Sequence, residues 1–386
     1  MSENILNNFK KRETNFKFNP ENFVSANYFN DSMIDRMAVE HEIKHKNESW
    51  DPIMCGSWNS DGSLLGCGKP RTGVQIFKPF QNFAVTTIPV RRDCFLTDCL
   101  FMPKNKNWLT VSSRNHSHVS SSTLNEVEMD QYVKVWDVVK NKILRTYGFR
   151  GLVKKLATSS ALPNSVWFNV DQRTQNIAEA DIRSPSCKTM QLNVVERNTS
   201  FLHSRVFDVS PVNEVTIVVG DKDQILFYDR RMVSSASVTH PTKTLDVGSL
   251  NGNNSYIVQL KYNPSGNKLL LTNSHRFNIY QYVAAAVRTK LENIFRLVFK
   301  DQTIMNTCKT NPTFLGDNHV LFDMFFQNYS VVFNLENLRY VGDLNLFDEN
   351  NFFSNMCMPN PFYCLIASLS QNNIKLITPT NHNRRL

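Results

Sequence analysis

Residues 206–229 read VFDVSPVNEVTIVVGDKDQILFYD. An apolar run, Val206 to Val209, meets Ser210, Pro211 and Asn213. A second run, Val215 to Val219, ends at Gly220 and Asp221, and a third, Ile225 to Tyr228, closes on Asp229. Proline presets φ for a tight turn, and Asn, Asp and Ser bond locally to the backbone there. The stretch therefore predicts three antiparallel strands joined by two short turns.

The same unit recurs outward in both directions. MCGSWNSDGSLLGCG followed by GVQIFKPF (54–80) carries the turn Asn59–Gly62, and IVQLKYNPSGNKLLLTNSHRFNIYQY (257–282) carries Asn263–Gly266 at the same place. Weaker copies occupy 101–138, 153–183, 307–335 and 356–378. The seven copies close near Phe77, Trp136, Ala180, Tyr228, Tyr280, Phe333 and Ile377, at spacings of 44 to 59 residues. A long period of four short strands is the mark of a propeller built from WD repeats, with loop insertions stretching some blades. The reading is an all-β fold, a seven-bladed WD-repeat β-propeller over residues 46–380. A helical extension is predicted over 1–45, a mobile polar insertion over 113–131 within blade two, and a short helix over AAAVRTKLENIF (284–295).

The chain has 386 residues, 41% of them hydrophobic, enough for a large core. Its start, MSENILNNFKKRETNFKF, has no apolar leader, and no run is long enough to span a membrane. A soluble intracellular protein, cytoplasmic or nuclear, is expected. Eight scattered cysteines contain no C-x-x-C and read as core thiols. The net charge of +9 admits acidic partners, but the basic runs are short and lack interleaved aromatics, which disfavours nucleic acid.

Catalytic motifs are sparse. HEIKH (41–45) matches the zinc-peptidase pattern H-E-x-x-H through His41, Glu42 and His45. It runs directly into NESWDP without a downstream third ligand, and reads instead as the polar end of a helix. Asp221 and Asp223 read as solvated turn carboxylates, and His116 and His118 as loop residues. No catalytic residue, metal ligand or cofactor is assigned.

Several segments resemble the WD and tetratricopeptide repeats protein family and related cullin-4-associated WD-repeat factors. They are GLVKKLATSSALPNSVWFNVDQRTQNIAEADIR (151–183), NYFNDSMIDRMAVEHEIKHKNESWDPIMCGSWNSDGSLLGCG (27–68), DKDQILFYDRRM (221–232) and NPFYCLIASLSQNNIKLITP (360–379). The resemblance implies a substrate receptor of a cullin-4 RING ubiquitin ligase. Such a receptor docks on the ligase's propeller adaptor and presents a protein substrate. Carried over residue by residue, Asp181 with Arg183 and Asp229 with Arg231 match the arginine-bearing boxes at two blade ends. Ile5, Leu6 and Phe9 would form the apolar face of an N-terminal docking helix. The box's leading tryptophan is Ala180 in one copy and Tyr228 in the other, and the late tetratricopeptide insertion is absent. The alternative is a WD-repeat scaffold or a chromatin- or histone-binding propeller with no ligase role.

Overall fold

The computed structural model describes residues 31–44, 51–90, 94–115, 131–149, 153, 155–170, 176–190, 206–221, 224–232, 239–247, 257–273, 276–284, 289–298, 312–324, 329–344, 356–370 and 373–379. Their strands form seven four-stranded antiparallel sheets. Six sheets take four consecutive strands. Blade I holds β2 (Cys55–Trp58), β3 (Leu65–Lys69), β4 (Gly73–Phe77) and β5 (Thr86–Ile88). Blade II holds β6 (Cys94–Phe101), β7 (Trp108–Asn115), β8 (Gln131–Asp137) and β9 (Lys142–Phe149). Blade III holds β10 (Leu156–Thr158), β11 (Ser165–Val170), β12 (Asn176–Asp181) and β13 (Cys187–Met190). Blade IV holds β14 (Val206–Val209), β15 (Thr216–Asp221), β16 (Gln224–Asp229) and β17 (Lys243–Asp246). Blade V holds β18 (Ile257–Tyr262), β19 (Lys268–Asn273), β20 (Arg276–Ala284) and β21 (Thr289–Val298). Blade VI holds β22 (Thr313–Leu315), β23 (His319–Met324), β24 (Tyr329–Asn334) and β25 (Arg339–Leu344).

Blade VII is composite. Its first three strands, β26 (Met356–Pro359), β27 (Ile366–Leu369) and β28 (Asn373–Pro379), come from the end of the chain, and its outer strand β1 (Met37–Lys44) from the beginning. This corrects two readings of the sequence. Over the described residues, the predicted N-terminal helix is one turn, α1 (Asp31–Ile34), followed by a strand. The first four residues of HEIKH, His41 to Lys44, lie in that strand, where neighbouring side chains point to opposite faces, so His41 and Glu42 cannot act as a helical metal grip. His41 pairs in register with Leu376 and Glu42 with Lys375. His45 lies outside the described residues, and no cluster among the described residues could hold a metal ion. The tertiary gain decides the outcome: without β1, the apolar strand β28 would be an unpaired edge, and local helix preference is too weak to compete. The predicted helix over 284–295 is also corrected, since Thr289–Val298 is strand β21 paired along β20.

Each pair of neighbouring blades shares its own apolar core. Val74 and Ile76 meet Leu96 and Leu109 between blades I and II. Trp167 and Ile177 meet Phe207 and Ile217 between III and IV. Leu321 and Val332 meet Ile366 and Ile377 between VI and VII, and Leu369, Ile374 and Leu376 meet Trp58 and Leu65 between VII and I. Similar clusters join II to III, IV to V, and V to VI, so the cores close a ring. Each fully buried side chain of this size contributes roughly 1.5–3 kcal/mol. Ile34, at the end of α1, is sealed into the core between VI and VII.

The innermost strands are stitched side chain to backbone around the axis. Ser57 Oγ accepts the Phe101 amide, Asp98 Oδ2 the Leu156 amide, and Asp208 Oδ2 the Tyr262 amide. Lys155 Nζ donates to the Phe207 and Leu260 carbonyls, and Gln259 Nε2 to the Pro312 carbonyl. Burial lifts the Asp98 carboxyl to about 6, against the pull of its two backbone amides and Lys155. Gly62, at φ 69°, sits where any side chain would strike Asn360, whose amide instead donates to the Gly62 carbonyl and ties blade VII to blade I.

Candidate interaction rim

The turns that follow the third strands of the blades share one face of the ring, because every blade runs in the same sense. Four of them are built alike. A carboxylate or amide at the strand's last residue accepts the amide two residues on. Asp137 accepts from Val139, Asp181 from Arg183, Asp229 from Arg231 and Asn334 from Glu336, at 2.8 to 3.1 Å. Such Asx turns fix the backbone and leave the residue two positions on facing outward. Blades III and IV, adjacent in the ring, place arginine there.

Both guanidiniums pair within their own turn. Arg183 Nε and Nη2 reach the Asp181 carboxylate at 2.9 and 2.6 Å. Arg231 Nε and Nη2 reach Asp229 at 3.1 and 2.8 Å. These bonds are the leading cause that holds both carboxyls below the usual aspartate range. The arginine side chains nonetheless remain 73% and 71% exposed. A guanidinium has five N–H donors in a plane, so each fork keeps donors free for carbonyls or carboxylates of another molecule.

Residues that sequence reading passed over hold this rim in place. From the outer strand of blade II, the Tyr147 hydroxyl lies 3.1 Å from the carbonyls of both Asp181 and Ser184, and Arg145 Nε donates to the Ile182 carbonyl at 3.0 Å. Burial pushes the Tyr147 hydroxyl up to about 12, so it keeps its proton for this contact. From blade IV, Arg230 reaches back to Glu179 of blade III through Nε at 2.8 Å and Nη2 at 2.6 Å, and Ser165 donates to the same carboxylate. Glu179 is buried. The Asp181 turn is thus pinned by blade II, and the Asp229 turn is anchored in blade III. The signal for Arg230 was its place beside Arg231; nothing in sequence marks Tyr147.

Ile5, Leu6 and Phe9 lie outside the described residues, as do His116, His118 and Asp223 and most of the predicted 113–131 insertion. Asp221 ends β15 and is half-buried. The described cysteines are free thiols, with Cys55 Sγ 3.4 Å from Cys99 Sγ in the core between blades I and II.

The β-propeller domain of Myceliophteria thermophila Cps50 (Swd1) superposes with a TM-score of 0.65 over 89% of this chain and 100% of that domain, at 14% identity. The fold is a seven-bladed β-propeller. The sequence matches no protein-family model and no curated protein. No helix among the described residues is long and apolar enough to cross a membrane.

Proposed function

We propose that this propeller is a non-catalytic interaction platform that docks through the rim of blades III and IV, and that its partner is the propeller adaptor of a cullin-4 RING ubiquitin ligase. In that reading the chain is an intracellular substrate receptor, and the opposite face presents a protein substrate for ubiquitination. The observation that carries it is the pair of matched Asp-x-Arg turns on adjacent blades, with both guanidiniums pre-oriented by their aspartates and largely exposed. Arginines held in one conformation lose little freedom on binding, which is what makes such residues strong anchors. The resemblance of residues 151–183 and 221–232 to cullin-4-associated factors supports the choice of partner. Ile5, Leu6 and Phe9 would add an apolar anchor.

A second reading is a scaffold for an acidic or chromatin-associated partner without a ligase role. It is favoured by the same ion pairs, which engage each arginine within its own blade, and by the net charge of +9. Co-purification with the isolated ligase adaptor separates the two. Retention of the adaptor by the wild-type chain, lost in Arg183→Ala/Arg231→Ala, supports the receptor. A folded wild-type chain that retains none moves the scaffold to first place.

A further inference from the structure

The outer corner of blade II differs from the arginine turns of blades III and IV in the state of its charges. Lys104 lies on the turn between β6 and β7, and Lys140 and Lys142 flank Asn141, whose φ of 49° closes the tight β8–β9 turn. Arg145 follows on β9. All four are exposed, and no carboxylate among the described residues lies within ion-pair reach of any of them. Three cations elsewhere on this face are answered, Lys106 by Asp61, Arg183 by Asp181 and Arg231 by Asp229, while Lys78 and Arg339 stand singly without a carboxylate among the described residues. Asp137, the carboxylate of the blade II turn, is buried and spent on the Val139 and Lys140 amides.

Two exposed aliphatics are interleaved with these cations. Val139 is 69% exposed at the position where blades III and IV carry arginine, and Ile143 is 38% exposed between Lys142 and Arg145. Exposed aliphatics lying singly need no explanation, but here they alternate with unpaired cations along one turn and one outer strand. That strand, β9, pairs with β8 on one side only.

We infer that the β8–β9 corner of blade II is a second docking surface, and that it takes an acidic, extended segment of a partner protein with apolar residues between its carboxylates. Lys140, Lys142 and Arg145, exposed and without a carboxylate partner among the described residues, supply the charge complementarity, and Val139 and Ile143 the apolar contacts that a phosphate backbone would not use. The surface adjoins the blade III turn, since Arg145 also donates to the Ile182 carbonyl, but its lysines and aliphatics lie on blade II and can be varied without touching Arg183 or Arg231.

The test uses the full chain and a fluorescent short peptide that alternates Glu with Leu and Val, beside a peptide with Lys in place of Glu and a single-stranded oligonucleotide of equal charge. The acidic peptide is expected to bind, and the basic peptide not. Lys140→Glu/Lys142→Glu should weaken binding about tenfold or more, and added salt should weaken it further. Val139→Ser/Ile143→Ser should weaken it about threefold or more, with the circular dichroism of both variants unchanged. The inference is overturned if the acidic peptide does not bind or if the lysine reversal leaves binding unaltered. It is equally overturned if the serine variant binds as wild type, which would reduce the surface to simple ion exchange, or if the oligonucleotide binds more tightly than the peptide.

Discussion

Arg230 Nη2 of blade IV lies 2.6 Å from Glu179 Oε1 of blade III, and this one ion pair ties together the two blades that carry the exposed arginines. Glu179 is buried and Arg230 half-buried. Removing one partner of such a pair strands the other charge, whereas replacing both with apolar groups is often nearly neutral. Glu179→Ala should therefore cost roughly 3 kcal/mol in chemical denaturation, and Glu179→Leu/Arg230→Leu about 1 kcal/mol. If the single and the double variant are equally stable, the pair does not anchor the rim.

Tyr147 tests the idea that the rim is pre-organised. Tyr147→Phe keeps the ring in its core and removes only the hydroxyl contact with the Asp181 and Ser184 carbonyls. A loss of about 1 kcal/mol in stability is expected. Partner affinity should fall as well, by less than on removal of Arg183, although Tyr147 itself need touch no partner. Unchanged affinity would mean that the turn holds its shape without blade II.

The axis of the ring predicts a pH dependence. The Asp98 carboxyl is raised to about 6 in the folded chain, from about 3.8. A raised carboxyl means that the folded state holds its proton more tightly than the unfolded state. Its contribution is fully present below about 3.8 and is lost as pH rises through about 6. The difference between those limits is on the order of 2–3 kcal/mol. Denaturation midpoints of wild type and Asp98→Asn between pH 4 and pH 7.5 should diverge. The asparagine variant removes the decline across that window, while its side-chain oxygen still accepts the Leu156 amide. Parallel curves would contradict this.

The start of the described chain is latched onto blade VI. Asp31 Oδ1 lies 2.8 Å from His319 Nε2 and accepts from Asn334 Nδ2 at 2.9 Å, and these contacts are what lower the Asp31 carboxyl. Asp31→Ala should destabilise the protein by about 1 kcal/mol. Ile34→Ala, which empties a core position between VI and VII, should cost about 2–4 kcal/mol. Hydrogen exchange in β1 should rise in both variants, and more in the second. Protection that is unchanged in both would show that β1 holds to β28 without this latch.

The repeat was legible because turn chemistry and alternation recur at a fixed place in each unit. Each closing residue read from the sequence, from Phe77 to Ile377, falls in the third strand of a sheet. The N-terminal strand was not legible. MAVEHEIK spaces its apolar residues ambiguously, and only pairing with β28, more than three hundred residues away, makes it a strand. At the rim, Arg183 and Arg231 are pointed to by the resemblance of their blade ends to the arginine-bearing boxes of the cullin-4-associated factors. Their supports were hidden for the same reason as β1: Tyr147, Arg145 and Glu179 act across blade boundaries, and local sequence carries no trace of such contacts.

The most direct test of the docking claim is the equilibrium affinity of the purified chain for the isolated cullin-4 adaptor by surface plasmon resonance. Wild type is compared with Arg183→Ala/Arg231→Ala, both checked for equal melting temperature. The account predicts binding by wild type and a loss of about 30-fold or more in the variant, equivalent to at least about 2 kcal/mol from two anchoring arginines. Wild-type affinity in the folded double variant would contradict it.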